Sequence, residues 1–359
     1  MFETLKEIYT KFDYDIKKIK KYEYLTDYIL DLYNNKNIEI DSSDVNKLLW
    51  NGNYYENIEK NYDEMKKYYL MAIELGNIYS MNNLGCYYLT IEKDYNEMKK
   101  YYLMAIELGN IYSMNNLGHY YEIIEKDYNK MKKYYLMAIE LGSINSMNNL
   151  GHYYENIEKD YVKMKKYYLM AIDLGNSNSM SNLGNYYENI EKDYVKMKKY
   201  YLMAIELGNC FSMNNLGNYY ENIEKDYVEM KKYYLMAIEL GNIYSMNNLG
   251  HYYETIEKNY DKMKKYYLMA FENGNNNGLY YLMEYYRLYN TNNYKELEDI
   301  LLLYFEKGNK EVIIYLAKYY EKFEIDYDKM EKYYLIGIEK NILDSKYFLN
   351  LYLSEKMKK

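Results

Sequence analysis

The sequence has no proline, one arginine (Arg287) and one tryptophan (Trp50) in 359 residues. Without proline there are no rigid Pro-rich spacers and none of the helix breaks that proline imposes. The near absence of arginine removes the guanidinium forks that grip phosphates or read guanine edges. At a net charge of −8 the chain also lacks the clustered cations from which binding to a phosphate backbone draws its affinity, so no nucleic-acid partner is expected. No run approaches the roughly 20 apolar residues of a membrane span. Met1 to Phe12 mixes acids into its apolar residues, unlike a secretory leader. These absences predict a soluble, non-secreted chain with no membrane partner, intracellular and cytoplasmic.

What abounds is tyrosine (59 residues) and methionine (24), along with asparagine, lysine and isoleucine. The codons of the last three are mostly rich in A and T, so an AT-rich genome, such as that of a large DNA virus or a protist, accounts for the skew without selection on function. Apolar residues make up 49% and charged residues 28%, which leaves ample material for a core despite a mean hydropathy of −0.66.

Glycines then set a period. Gly76, Gly109, Gly142, Gly175, Gly208, Gly241 and Gly274 are spaced by 33 residues, and Gly52, Gly85, Gly118, Gly151, Gly184, Gly217 and Gly250 keep the same step. Two weaker copies follow, with Gly308 and Asn341 at the first glycine's place. Asparagine is the usual substitute where a left-handed backbone is required, so each copy is expected to end at a helix C-cap. Within Asn77 to Gly109, Met81, Leu84, Tyr88 and Ile91 follow a 3, 4, 3 spacing that lays one apolar stripe along a first helix, helix A. Asp94 caps a second, helix B, with Glu97 completing a capping box in this copy, and helix B buries Tyr95, Met98, Tyr102 and Ala105. Gly85 stands inside helix A, where glycine costs about 1 kcal/mol relative to alanine. Its recurrence points to close approach of helix B through Tyr102 or Ala105. Cys86 and Cys210 fall four copies apart and are read as free thiols in a reducing compartment.

Laid out as Leu84-Gly85-x-x-Tyr88, then Asp94-x-x-x-Met98-x-x-Tyr101-Tyr102-x-x-Ala105, closing on Gly109, the unit resembles the Sel1-like repeat, a relative of the tetratricopeptide repeat. The resemblance spans about residues 44 to 341. It departs from the family in a shortened connection, Glu92-Lys93-Asp94, and in Met98 where alanine is expected. It implies an all-α solenoid superhelix of about nine helical hairpins and an adaptor or scaffold role. The activity toward β-lactams credited to some cysteine-rich members is not implied, because the cysteine pair in each repeat is missing. The expected organisation is an N-terminal helical cap over 1–43, seven near-identical repeats over 44–274, two degenerate repeats over 275–341 and a capping helix over 342–359. A helical stripe of Phe2, Leu5, Tyr9, Phe12, Ile16 and Ile19 belongs to the first cap, with Trp50 facing it.

Candidate chemistry is sparse. His119, His152 and His251 share one repeat position with Asn53, Cys86, Asn185 and Asn218, but packed helices about 8 to 10 Å apart cannot bring consecutive copies within zinc-ligand reach of about 2.0 to 2.3 Å. No catalytic triad, Walker loop or dinucleotide fingerprint is present, so neither a metal, a cofactor nor an enzymatic activity is expected. The copies disagree on one face of helix A, defined by Tyr79, Asn82, Cys86 and Thr90. The first position becomes Tyr112, Asn145, Asn178, Phe211 and Tyr244 in later copies, and the last becomes Ile123, Asn156, Asn189, Asn222 and Thr255. Between them run Asn115, Asn148, Asn214 and Asn247, suited to the backbone of an extended peptide because asparagine offers a donor and an acceptor together. This face is the expected concave groove for a protein or peptide partner. Helix B supplies the alternative, a solvent-facing leucine row of Leu70, Leu103, Leu136, Leu169, Leu202, Leu235, Leu268, Leu302 and Leu335 favouring self-association.

Overall fold

The computed structural model describes residues 26–33, 42–289 and 293–356, and every regular element among them is a helix. The stripe from Phe2 to Ile19 lies outside the described residues. The chain divides into two compact units, residues 1–179 and 180–359. Both are built from helical hairpins in the expected alternation, an α-solenoid architecture.

The second copy shows why. Helix A (Ile78–Tyr87) starts at Asn77, whose extended backbone lets its side chain accept from Ser80 N at 2.7 Å. Helix B (Tyr95–Glu107) starts at Asp94, which accepts from Asn96 N and Glu97 N at 3.0 and 3.1 Å. The carboxylate of Glu97 turns to Lys100 Nζ at 2.8 Å, so the cap is one-sided. Helix B ends as the glycine series requires. Gly109 has φ +81°, and the N–H of Asn110 returns to the carbonyl of Ala105 at 2.9 Å. The equivalent glycines from Gly76 to Gly308 have φ between +77° and +88°, and Asn341 has φ +59°.

The inner glycines make room for a tyrosine. A Cβ on Gly85 would lie 2.5 Å from Tyr102 Cδ1, and one on Gly118 would lie 2.7 Å from Tyr135 Cδ1. Both rings are fully buried.

Helix A does not run as a simple α-helix to Ile91. Its last five residues, Tyr88–Glu92, form a π-helical turn, and Lys93 follows in the left-handed region at φ 56°. The same turn recurs at Tyr121–Glu125, Tyr154–Glu158, Tyr187–Glu191 and Tyr220–Glu224. In the third copy the N–H of Asp127 closes it on the carbonyl of Tyr121 at 2.9 Å. A π turn carries more residues per turn than an α turn, so side chains beyond it rotate out of the 3.6-residue phase. The expected burial of Ile91 is therefore corrected: it is 50% exposed, and Tyr87 takes the core position.

Tyrosine is the packing unit of this core. Tyr121 stacks on Tyr134 at 5.7 Å, Tyr120 meets Tyr121 edge-on at 5.4 Å, and Tyr95 of the preceding copy tilts against Tyr120 at 5.3 Å. The same four-ring cluster recurs as Tyr128, Tyr153, Tyr154 and Tyr167, and in the second unit as Tyr194, Tyr219, Tyr220 and Tyr233. Such ring pairs add about 0.5–1.5 kcal/mol beyond area burial. Lys66 of one helix B reaches Glu92 of the next copy at 3.0 Å, where Glu92 also accepts from Tyr87 at 2.8 Å. Burial, with that bond, pushes the Tyr87 hydroxyl up to about 12.

Past Gly274 come helices Asn277–Tyr289, Tyr294–Glu306, Val312–Tyr319, Tyr327–Glu339 and Leu343–Lys356. Their core includes aliphatic Leu279, Leu282, Leu301 and Ile313.

Candidate functional site on helix A

The variable face of helix A holds two kinds of residue. At its first position Tyr79 and Tyr112 in the first unit, and Phe211 and Tyr244 in the second, are 49–60% exposed. One turn deeper the asparagines are not free. Ser113 Oγ donates to Asn82 Oδ1 at 3.0 Å, Ser146 Oγ to Asn115 Oδ1 at 2.9 Å, and Ser179 Oγ to Asn148 Oδ1 at 2.9 Å. In the second unit Ser245 Oγ donates to Asn214 Oδ1 at 2.9 Å. Asn116, Asn149 and Asn248 add a second donor to Asn82, Asn115 and Asn214 at 3.2–3.3 Å. The row thus staples each helix A to the next, and its carbonyls are not available for a peptide backbone in the way the sequence suggested. It breaks where the sequence changes. Gly278 stands where a serine would approach Asn247, and the Oδ1 of Asn247 is buried with no partner among the described residues.

The position shared by Cys86 and the histidines is the outer rim of the same network. Where it is asparagine, the side chain joins the buried tyrosine of helix B. Tyr201 donates to Asn185 Oδ1 at 2.5 Å and Tyr234 to Asn218 Oδ1 at 2.6 Å. Cys86 does the same with sulfur, accepting from Tyr102 at 3.3 Å, and burial pushes its thiol up. Cys86 and Cys210 are both free thiols, half-buried. Where the position is histidine the ring points outward. His119, His152 and His251 are exposed, and His119 and His251 stand 3.7 and 3.9 Å from Glu122 and Glu254. Those carboxylates also accept from Tyr135 and Tyr267, each at 2.7 Å. Burial by itself would raise Glu122, but His119 and Tyr135 hold it below the usual carboxylate range. The hydrogen bond to Glu254 raises His251, and His251 lowers Glu254. Glu56, with Asn53 in place of a histidine, is raised by burial.

The glutamates under this face, Glu122, Glu155, Glu188, Glu221 and Glu254, were not singled out from the sequence. Their signal is the spacing of three from the histidine position and of thirteen to the buried tyrosine. From residue 78 to residue 257 no helix A or π turn carries a lysine. Among the described residues no group of three or more His, Cys, Asp or Glu is placed to hold a metal ion, and no helix is long and apolar enough to cross a membrane. On helix B, Leu70, Leu103, Leu136, Leu169, Leu202 and Leu235 are 39–41% exposed and Leu335 is exposed too, whereas Leu268 and Leu302 are half-buried against neighbouring helices.

The family model described as Sel1 repeat matches residues 47–77, 78–110, 111–143, 144–176, 177–209, 211–242 and 243–275. No curated protein matches the sequence. Among solved structures, the chain is similar to a protective antigen of uropathogenic Escherichia coli displaying an SLR fold, at 22% identity and a TM-score of 0.52, over 89% of this chain and 76% of that one. It is also similar to a Sel1 repeat protein from Oxalobacter formigenes, at 24% identity and a TM-score of 0.52, over 64% of this chain and 99% of that one.

Proposed function

Because the chain belongs to the Sel1 repeat family, we propose that it is a non-catalytic interaction scaffold that binds a protein or peptide partner along the helix A face. One observation carries the reading. Where the copies are otherwise near-identical, the first turn of helix A exposes a large aromatic ring in four of them, Tyr79, Tyr112, Phe211 and Tyr244, and polar Asn145 and Asn178 in two others. Exposed aromatics are the side chains that most often anchor an interface. With no lysine on helix A or its π turn from residue 78 to residue 257, the face suits a neutral or basic segment. The asparagines, engaged between copies, contribute rigidity to this face rather than contacts.

Selection of a displayed peptide library on the full chain tests this. Binders should be depleted of acidic residues, and replacing Tyr79, Tyr112, Phe211 and Tyr244 with alanine should abolish their capture with helicity unchanged. Undiminished capture by that variant moves the site off helix A.

A further inference from the structure

Helix B carries a pattern that the helix A reading does not use. In the second unit Val195, Lys199, Leu202 and Glu206 follow a 4, 3, 4 spacing, which sets them in one row along the solvent side. Val195 is 82% exposed, Leu202 is 41% exposed, and both charges between and beyond them are exposed. The next copy repeats the row as Val228, Lys232, Leu235 and Glu239. Each leucine thus has a cation one turn before it and an anion one turn after.

A row of this kind is complementary to itself when reversed. Laid antiparallel about a point between residues 202 and 203, Lys199 of one copy faces Glu206 of the other and the reverse. Leu202 then meets its own counterpart within about 1.5 Å along the axis. A parallel arrangement in register would oppose like charges, which costs affinity. A two-fold axis running across the helices repeats the match at Lys232, Leu235 and Glu239, so both copies use the same patch, as an isologous interface requires. Of the four charges, Lys232 reaches Glu229 of its own helix at 2.8 Å, an exposed pair of little net strength, and the other three stand without a partner of opposite sign among the described residues. The Lys199 ammonium lies over the Tyr200 ring at 5.5 Å and has no carboxylate partner among the described residues, and neither Glu206 nor Glu239 has a cation there.

We propose that the chain pairs with a second copy of itself through the antiparallel helix B rows centred on Leu202 and Leu235. The leucines and valines supply the apolar contact, and the lysine–glutamate pairs fix direction and register.

Light scattering and sedimentation of the full chain test this. The parent should show a dimer mass, and Leu202→Lys with Leu235→Lys should raise the dissociation constant at least about ten-fold with helicity unchanged. Charge reversal separates register from general stickiness. A Lys199→Glu/Lys232→Glu variant and a Glu206→Lys/Glu239→Lys variant should each dimerise poorly alone, yet form mixed dimers when combined. A monomeric parent, a dimer insensitive to the leucine changes, or a mixture of reversed variants that fails to associate would each overturn the proposal.

Discussion

Ser212 and Ser245 occupy the same position in consecutive copies, and both are fully buried. Ser245 Oγ donates to Asn214 Oδ1 at 2.9 Å. The residue equivalent to Asn214 one copy earlier is Ser181, and Ser212 Oγ has no partner among the described residues. The same substitution should therefore act with opposite sign at the two places. Ser245→Ala removes a net hydrogen bond and leaves Asn214 with Asn248 as its remaining donor at 3.2 Å, a loss of about 1 kcal/mol. Ser212→Ala removes a hydroxyl whose unsatisfied burial costs about 1–3 kcal/mol, and alanine is also the better helix former. It should stabilise by roughly 1 kcal/mol, which separates the variants by about 2 kcal/mol, near thirty-fold in the local opening equilibrium. Repeat arrays need not unfold as one unit, so urea unfolding should be joined by amide exchange of each helix A. Ser181→Asn should supply the missing acceptor and turn Ser212→Ala into a loss. If both alanine variants lose stability equally and Ser181→Asn changes nothing, the accounting of this network is wrong.

The two glycine series should fail in different ways. Gly118→Ala meets the buried Tyr135 ring and should cost about 2 kcal/mol in a urea titration despite the better helix propensity, whereas Gly142→Asn, in open space at φ +86°, should be nearly neutral; a stabilised Gly118→Ala would show that the ring yields. An NMR titration should place His251 above its ordinary value of 6.5, and Glu254→Gln should bring it back down. The pair stabilises most between the unfolded values of the two groups, about 4.3 and 6.5, fading as pH rises through the raised histidine value or falls through the lowered glutamate value. A His251 midpoint at or below 6.5 would remove the pair from the account.

The 33-residue period, the left-handed glycines, the Asp94 cap and the contact at Gly85 were legible because each depends on one local rule of backbone or sterics. Ile91 was misplaced because a constant 3.6-residue phase was carried through a π turn that no residue type announces. The spacing assigns Tyr88, Tyr95 and Tyr102 to the core, but the doublets Tyr87-Tyr88 and Tyr101-Tyr102 also mark a ring pair joining helix A to helix B, which a count of apolar positions does not reveal. The asparagine row was read as exposed because its serine partners lie 31 residues away, on the neighbouring copy. That relation exists only once the copies are stacked.

The four-ring clusters and the lysine–glutamate contacts join one copy to its neighbour with the same chemistry within each unit, and the serine–asparagine staples do so wherever the asparagine and the serine are both kept. A chain lacking residues 111–143 would bring Tyr95 to Tyr153 and Asn82 to Ser146, each meeting the residue type it meets now. Unequal recombination between the near-identical copies would therefore yield shorter or longer chains whose new joint repeats one that the fold already holds. The number of copies becomes a trait that can drift by whole steps while the fold itself stays constant.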